Sequence, residues 1–317
     1  MLYFKKCNIR NGVIGVDELE NKNEHLLLID GMALLFRSFF ATAVTGQFMM
    51  NSKGLPTNGV QGFMKHLLMA ADHVKPTHII VCWDMGSQTF RNEVFNDYKS
   101  NRNAPPIELI PQFDLAKEVA EGFKLSNVGV VGYEADDCIG TLAKLHQSDR
   151  KVSVLSGDQD LLQLLDDNID IMLLKKGFGN YQTYTKDIFV EERGITPQQF
   201  IDVKALMGDT SDGYPGVRGI GEKTALKLIQ QYNDISGILA NLHKLTPSQR
   251  KKIEEDLDML HVSRKLAEIH CEVPLSVSAE AARWNNVSHD TLSLVDDLEL
   301  KVLRRFLVGS NVMMASS

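Results

Sequence analysis

The run Leu26-Leu27-Leu28-Ile29-Asp30 decides the fold. Four consecutive apolar residues closed by a carboxylate are too short for a helix, and without alternation they read as a strand covered on both faces. Further runs repeat the pattern: His78-Ile79-Ile80-Val81-Cys82-Trp83, Leu125 to Val131, Val152-Ser153-Val154-Leu155 and Ile169 to Leu174. Between them, Gly59 to His73, Leu109 to Gly122 and Ala135 to Leu145 carry apolar residues at three- and four-residue spacing and predict helices. This alternation predicts an α/β fold with a mainly parallel central sheet flanked by helices.

Strand signals stop after residue 195. Pro197 to Met207, Glu222 to Tyr232, Ile235 to Leu242 and Pro247 to Ile269 predict helices. The expected organisation is an N-terminal extension over 1–24, an α/β domain over 25–195, a smaller helical domain over 196–272 joined through Asp209 to Val217, and a segment 273–317 packing back on the first domain. A polar insertion over 86–108, closed by Pro105-Pro106, has too little apolar content for a core helix and reads as functional.

With 317 residues, 44% hydrophobic and 24% charged, the chain has the composition of a soluble globular protein. No apolar run is long enough to span a bilayer, and Lys5-Lys6 is followed by no apolar leader, so a cytoplasmic protein without a membrane partner is expected. Cys7, Cys82, Cys138 and Cys271 show no C-x-x-C spacing, which argues against zinc and disulfides, and Cys82 and Cys138 read as small core residues. A formal charge of -7 argues, by itself, mildly against a nucleic-acid partner.

The chemistry lies in where the acids fall. Asp30, Asp84, the group Glu134, Asp136 and Asp137, and the pair Asp158 and Asp160 each follow a strand candidate. In a parallel sheet these ends share one edge, where open α/β folds bind ligands. A helix cap accounts for one acid per junction, but not for Glu134-Ala135-Asp136-Asp137 or Asp158-Gln159-Asp160, where extended backbone would send residues i and i+2 to one side. Converging carboxylates oppose one another's ionisation unless cations neutralise them. An all-oxygen set points to Mg²⁺ or Mn²⁺, and its size to two ions about 4 Å apart, as in phosphodiester chemistry.

Asp209 and Asp212 precede Pro215-Gly216-Val217-Arg218-Gly219-Ile220-Gly221-Glu222-Lys223-Thr224-Ala225. This is a helix-hairpin-helix pattern: Gly216, Gly219 and Gly221 let backbone N–H groups approach a phosphate, and Lys223 and Thr224 open the next helix. Such contacts hold a duplex without reading its sequence.

Together these segments, with Thr89-Phe90-Arg91 and Tyr98-Lys99-Ser100-Asn101-Arg102, resemble the 5′-nuclease family: the 5′→3′ exonuclease domain of bacterial DNA polymerase I, the phage 5′-exonucleases and, more remotely, flap endonucleases. The match covers about residues 25–270 in the family's order, and with no polymerase domain following, it implies a free-standing bacterial member. The resemblance implies a PIN-like or resolvase-like sheet with a helical arch over 86–108, and a monomer acting on DNA 5′ ends, nicks or flaps and on RNA–DNA hybrid in replication and repair. It implies a first metal site of Asp30, Asp84, Glu134 and Asp136, and a second of Asp158, Asp160 and Asp212 supported by Asp137 and Asp209. Lys99 and Arg102 would be catalytic, contacting the scissile phosphate. Arg37, Arg91 and Tyr98 would meet DNA, as would the hairpin, which in relatives also holds K⁺. Gly213 stands where relatives have Asn, and Phe36 where they have Tyr.

Two rival readings remain: a DNA-structure-binding protein without nuclease activity, and a magnesium-dependent phosphohydrolase of small molecules. The intact carboxylate set speaks against the first, the hairpin and the basic insertion against the second. Setting nine metal-set acids aside leaves 32 acids against 34 basic residues, so the net charge no longer opposes nucleic acid.

Overall fold

The computed structural model describes residues 24–309 except 44, 45, 47, 276, 278, 279 and 286. The expected extension over 1–24 therefore lies outside the described residues, Glu24 excepted.

Strand β1 (His25–Asp30) runs through the middle of a six-stranded sheet of order β3-β2-β1-β4-β5-β6. Its neighbours β2 (His78–Cys82) and β4 (Lys151–Ser156) pair with it in parallel, Leu28 lying between Ile80 and Val154. β3 (Ser126–Val128) and β5 (Ile169–Leu174) extend the parallel array, and β6 (Tyr181–Tyr184) closes it antiparallel to β5. The run Leu26 to Ile29 is fully buried because both faces are covered. Leu26 and Leu28 join Val152, Val154 and Ile171 on one side; Leu27 and Ile29 join Ile79, Val81 and Leu155 on the other.

Helices α1 (Gly31–Ala43), α2 (Asn58–Val74) and α4 (Ile110–Gly122) pack on the second face. Helix α5 (Ala135–His146) covers the first, with a 3₁₀ turn over Asp160–Leu164. After α6 (Lys186–Arg193) come α7 (Pro197–Met207), α8 (Glu222–Tyr232) and α9 (Ile235–Ala240). α7 opens with a capping box between Thr196 and Gln199 and proline at its first position, which is why its start was legible.

Two findings differ from expectation. Pro247 to Ile269 is not one helix but two, α10 (Pro247–Glu255) and α11 (Leu257–Ala267). Asp256 leaves helical geometry between them, and its carboxylate accepts the Arg218 backbone N–H at 2.9 Å and its guanidinium at 2.7 Å. The polar insertion is helical only in α3 (Phe90–Val94); the rest of 86–108 is turns and irregular chain, as its two prolines and low apolar content dictate. The helices after residue 195 pack directly on the sheet: Leu206, Val217, Ile220, Ile229, Ile253 and Leu260 belong to the same apolar cluster as its first face.

The C-terminal helices α12 (His289–Asp297) and α13 (Lys301–Gly309) place Leu292, Val295, Leu303 and Leu307 in the second-face core beside Leu27 and Phe63. Leu303, 0% exposed, ties the far end of the chain to the sheet. Leu303→Ala should therefore lower stability by about 2–5 kcal/mol in urea unfolding, as large-to-small core changes do; a change under about 0.5 kcal/mol, the size of an ordinary surface substitution, would show that α13 is peripheral.

Candidate active site

The strand order reverses direction between β1 and β4, which opens a crevice at their C-terminal ends. Asp30 ends β1 there, 5% exposed. One of its oxygens accepts the Ala33 N–H of α1 at 2.9 Å, the capping bond of a strand-to-helix turn. The other accepts the Ser156 hydroxyl at 2.5 Å, and the same Ser156 oxygen accepts the Asp158 N–H at 3.0 Å. Asp84, two residues past β2, accepts the Ala135 N–H at 2.7 Å and so fastens the start of α5. Asp30, Asp84, Glu134, Asp136 and Asp158 line one open cleft of about 530 Å³, together with Lys99, Arg102 and Ser211.

Burial is the main force on Asp30 and Asp136. It pushes the Asp30 carboxyl up to about 7 against the hydrogen bonds from Ser156 and Ala33, and the Asp84 and Asp158 charges add to the rise. Asp136 is raised too, by burial first and then by Asp30, Asp158 and Glu134. Among the described residues no three of these groups close into a finished coordination shell. An all-carboxylate donor set under this strain suits a hard divalent cation, which removes the cost of ionising several acids together. Lys99 sits at the rim, its ammonium 2.8 Å from Glu134. Arg102, half exposed, reaches Asp212 at 2.7 Å.

Asp137, Asp160, Asp209 and Asp212 do not line this cleft, although Asp212 reaches its edge through Arg102 and Tyr98. The i, i+2 argument fails at Asp158 and Asp160, because Gln159 is already helical and Asp160 begins the 3₁₀ turn. Asp160 instead meets the Lys204 ammonium at 2.7 Å, and Asp209 meets the same ammonium. Burial and the Asp158 charge push Asp160 up to about 7 despite Lys204. For Asp209 burial is outweighed: the Lys204 hydrogen bond and charge and the Ser211 and Asp212 amides hold it below its ordinary value. Lys204 was missed in the sequence, where its only signal is a lysine inside the apolar run Val203 to Met207.

Asp137, expected to support the second site, does not line the cleft. It is 0% exposed and faces away from the cleft, accepting two bonds from Arg91 at 2.8 Å, the Glu134 N–H at 3.0 Å and the His270 N–H at 2.9 Å. Its acceptors are spent on structure, and so is Arg91, 3% exposed and also donating to the Leu266 and Glu268 carbonyls. Arg91 therefore cannot meet DNA from this position. Tyr98 is likewise buried, its hydroxyl donating to Asp212 at 2.9 Å with Glu134 at 3.3 Å. Arg37, on α1 outside the cleft, donates to the Lys175 carbonyl.

Gly213 lies at φ +78°, a conformation open to glycine and, less easily, asparagine. Gly216, at φ +61°, packs so closely that a Cβ there would lie 2.3 Å from the Gly208 nitrogen. That glycine serves chain packing at the base of the hairpin. Gly219 and Gly221 are exposed at its tip, Gly221 caps α8, and Lys223 and Thr224 lie in the first turn of that helix, Lys223 exposed.

Residues 25–194 match the model of the 5′-3′ exonuclease N-terminal resolvase-like domain, and 195–290 that of the 5′-3′ exonuclease C-terminal SAM fold. A 5′-3′ exonuclease of Bacillus subtilis (strain 168) is 55% identical over 289 residues, 91% of this chain and 98% of that protein. DNA polymerase I of Lactococcus lactis subsp. cremoris is 39% identical over 83% of the chain, which spans only 30% of the polymerase. The structure of the phage T5 D15 protein co-crystallized with metal ions superposes with a TM-score of 0.64 at 25% identity, covering 88% of this chain and 100% of that one. Fold and site thus define a nuclease built on a resolvase-like α/β sheet with a helical C-terminal part. The chain belongs to the 5′-3′ exonuclease family. Among the described residues no helix is long and apolar enough to cross a membrane.

The Arg91–Asp137 pair joins α3, α5 and the end of α11. Arg91→Ala should cost about 3–5 kcal/mol in chemical unfolding, because it strands a buried carboxylate. A variant as stable as the parent would return Arg91 to the list of substrate contacts.

Proposed function

We propose that the chain is a Mg²⁺-dependent, structure-selective 5′→3′ exonuclease and 5′-flap endonuclease. It acts as a cytoplasmic monomer on DNA 5′ ends, nicks and flaps, and on RNA primers paired to DNA, in replication and repair. The observation that supports this is the convergence of five carboxylates on one cleft with Lys99 and Arg102 at its edge. Asp30, Asp84, Glu134 and Asp136 would hold a first ion, and Asp158, Asp160 and Asp212 a second, supported by Asp209. When bound, Mg²⁺ or Mn²⁺ supplies Lewis acidity and a water acidic enough to attack a phosphodiester.

The chain's own residues do the rest. Lys99 and Arg102 would take the scissile phosphate, exchanging Glu134 and Asp212 for its oxygens and stabilising the charge that grows there. Ser156 keeps Asp30 aimed and ionisable through its hydroxyl. Gly219, Gly221, Lys223 and Thr224 would hold duplex phosphates at the start of α8, and Gly216 keeps the hairpin's shape. Arg37 would meet the strand beyond the cleft. The Gly219 carbonyl already accepts the Lys252 ammonium at 2.9 Å, so a potassium ion at the hairpin would have to use its other carbonyls.

Asp30→Asn, Asp158→Asn and Lys99→Ala should each lower single-turnover cleavage of a 5′-labelled flap by about 10²-fold or more, while nicked-duplex binding persists. Full activity in both aspartate variants would overturn the metal assignment, and a parallel RNA–DNA substrate tests the primer reading.

Cation binding should also appear in stability. In EDTA, stability should fall as pH rises from the ordinary Asp value of 3.8 through about 7, because folded Asp30 and Asp160 keep protons the unfolded chain has lost. Mg²⁺ at about 100-fold above its Kd should raise Tm by about 5 °C or more, and more at pH 8 than at pH 6, where protons hold the sites. A pH-independent Mg²⁺ effect would contradict this.

A further inference from the structure

The acids at this sheet edge fall into two groups that differ in one respect. Among the described residues no ion pair reaches Asp30, Asp84, Asp136 or Asp158, and Asp30 is satisfied by neutral donors alone. In that group Glu134 alone meets cations, Lys99 at 2.8 Å and, more distantly, Arg91 at 3.8 Å. The second group carries its own charges. The Lys204 ammonium, with its side chain 9% exposed, touches Asp160 at 2.7 Å and Asp209 at 2.5 Å, while Arg102 answers Asp212 at 2.7 Å. Lys204 projects from α7, whose neighbouring Val203, Ala205 and Leu206 are buried in the core, so its base is held by packing.

We propose that Lys204 is a positioning residue that serves as a resident cation for the second carboxylate group and makes the second divalent ion bind more weakly than the first. The inference rests on the two-ion reading above. Two acids this close would repel, and an ammonium between them sets their separation without any added ion. The same ammonium confronts an incoming divalent ion with a like charge in a partly buried site, where screening is weak. Removing the charge leaves the acids in place but unanswered, and both effects then favour the ion.

Mn²⁺ binding to the DNA-free protein, followed by the paramagnetic resonance signal of free Mn²⁺, tests this. The parent protein should show two steps separated by about tenfold or more, about 1.4 kcal/mol. Lys204→Met should tighten the second step by about tenfold, 1.4 kcal/mol, and leave the first where it is; Lys204→Arg should retain the parent pattern. Lys204→Gln, which keeps hydrogen-bond donors without the charge, gives the same reading if the methionine variant folds poorly. Two equal steps in the parent, or a second step unchanged or weakened in the neutral variants, would overturn the role of Lys204. A parent protein that binds no Mn²⁺ would overturn the two-ion reading itself, so the two failures are told apart.

Discussion

Repulsion among carboxylates gathered at one edge of a buried sheet is the constraint around which this molecule is arranged. Asp30 sits at the end of a strand with no exposed face, and burial first, with the Asp84 and Asp158 charges, lifts its carboxyl to about 7. Every cation near the cleft is placed against that repulsion: Lys99 on Glu134, Arg102 on Asp212, Lys204 between Asp160 and Asp209, Arg91 on Asp137. A sequence optimised for stability alone would not concentrate acids here, and their persistence at successive strand ends is intelligible only as a binding device.

The counter-charges come from distant parts of the chain, so the site and the helical region are one mechanical unit. Lys204 lies on α7, and Asp209 and Asp212 follow it. Arg91 donates to carbonyls at the end of α11, and the apolar cluster under the sheet continues into α8 and α10 without a break. Movement of the hairpin relative to the sheet would disturb the second carboxylate group directly.

Much of this is legible in the sequence itself. Five of the six strands, the positions of the strand-end acids and the bounds of α7 and α8 follow from apolar periodicity and capping residues. The failures are specific. β6 is a four-residue edge strand of tyrosines, glutamine and threonine, with no apolar run to mark it. Helix α1 follows β1 without a linker, its cap being the same Asp30 that reads as a ligand. The break at Asp256 depends on Arg218, 38 residues earlier in the chain, which no local period reveals.

By itself, the sequence determined the sheet, its polarity, the hairpin and the gathering of acids on one edge, because these depend on local periodicity and on the geometry shared by all parallel strands. Tertiary structure alone decided how the acids divide. Asp136 faces the cleft while Asp137, its neighbour, has both carboxylate oxygens bound by the Arg91 guanidinium, because a helix has begun and adjacent side chains diverge by about 100°. Asp160 turns to Lys204 because a 3₁₀ turn starts where extended chain was expected. Which carboxylates stay free for a ligand and which are spent on arginine or lysine depends on partners far away in the chain, brought near only by the packed fold.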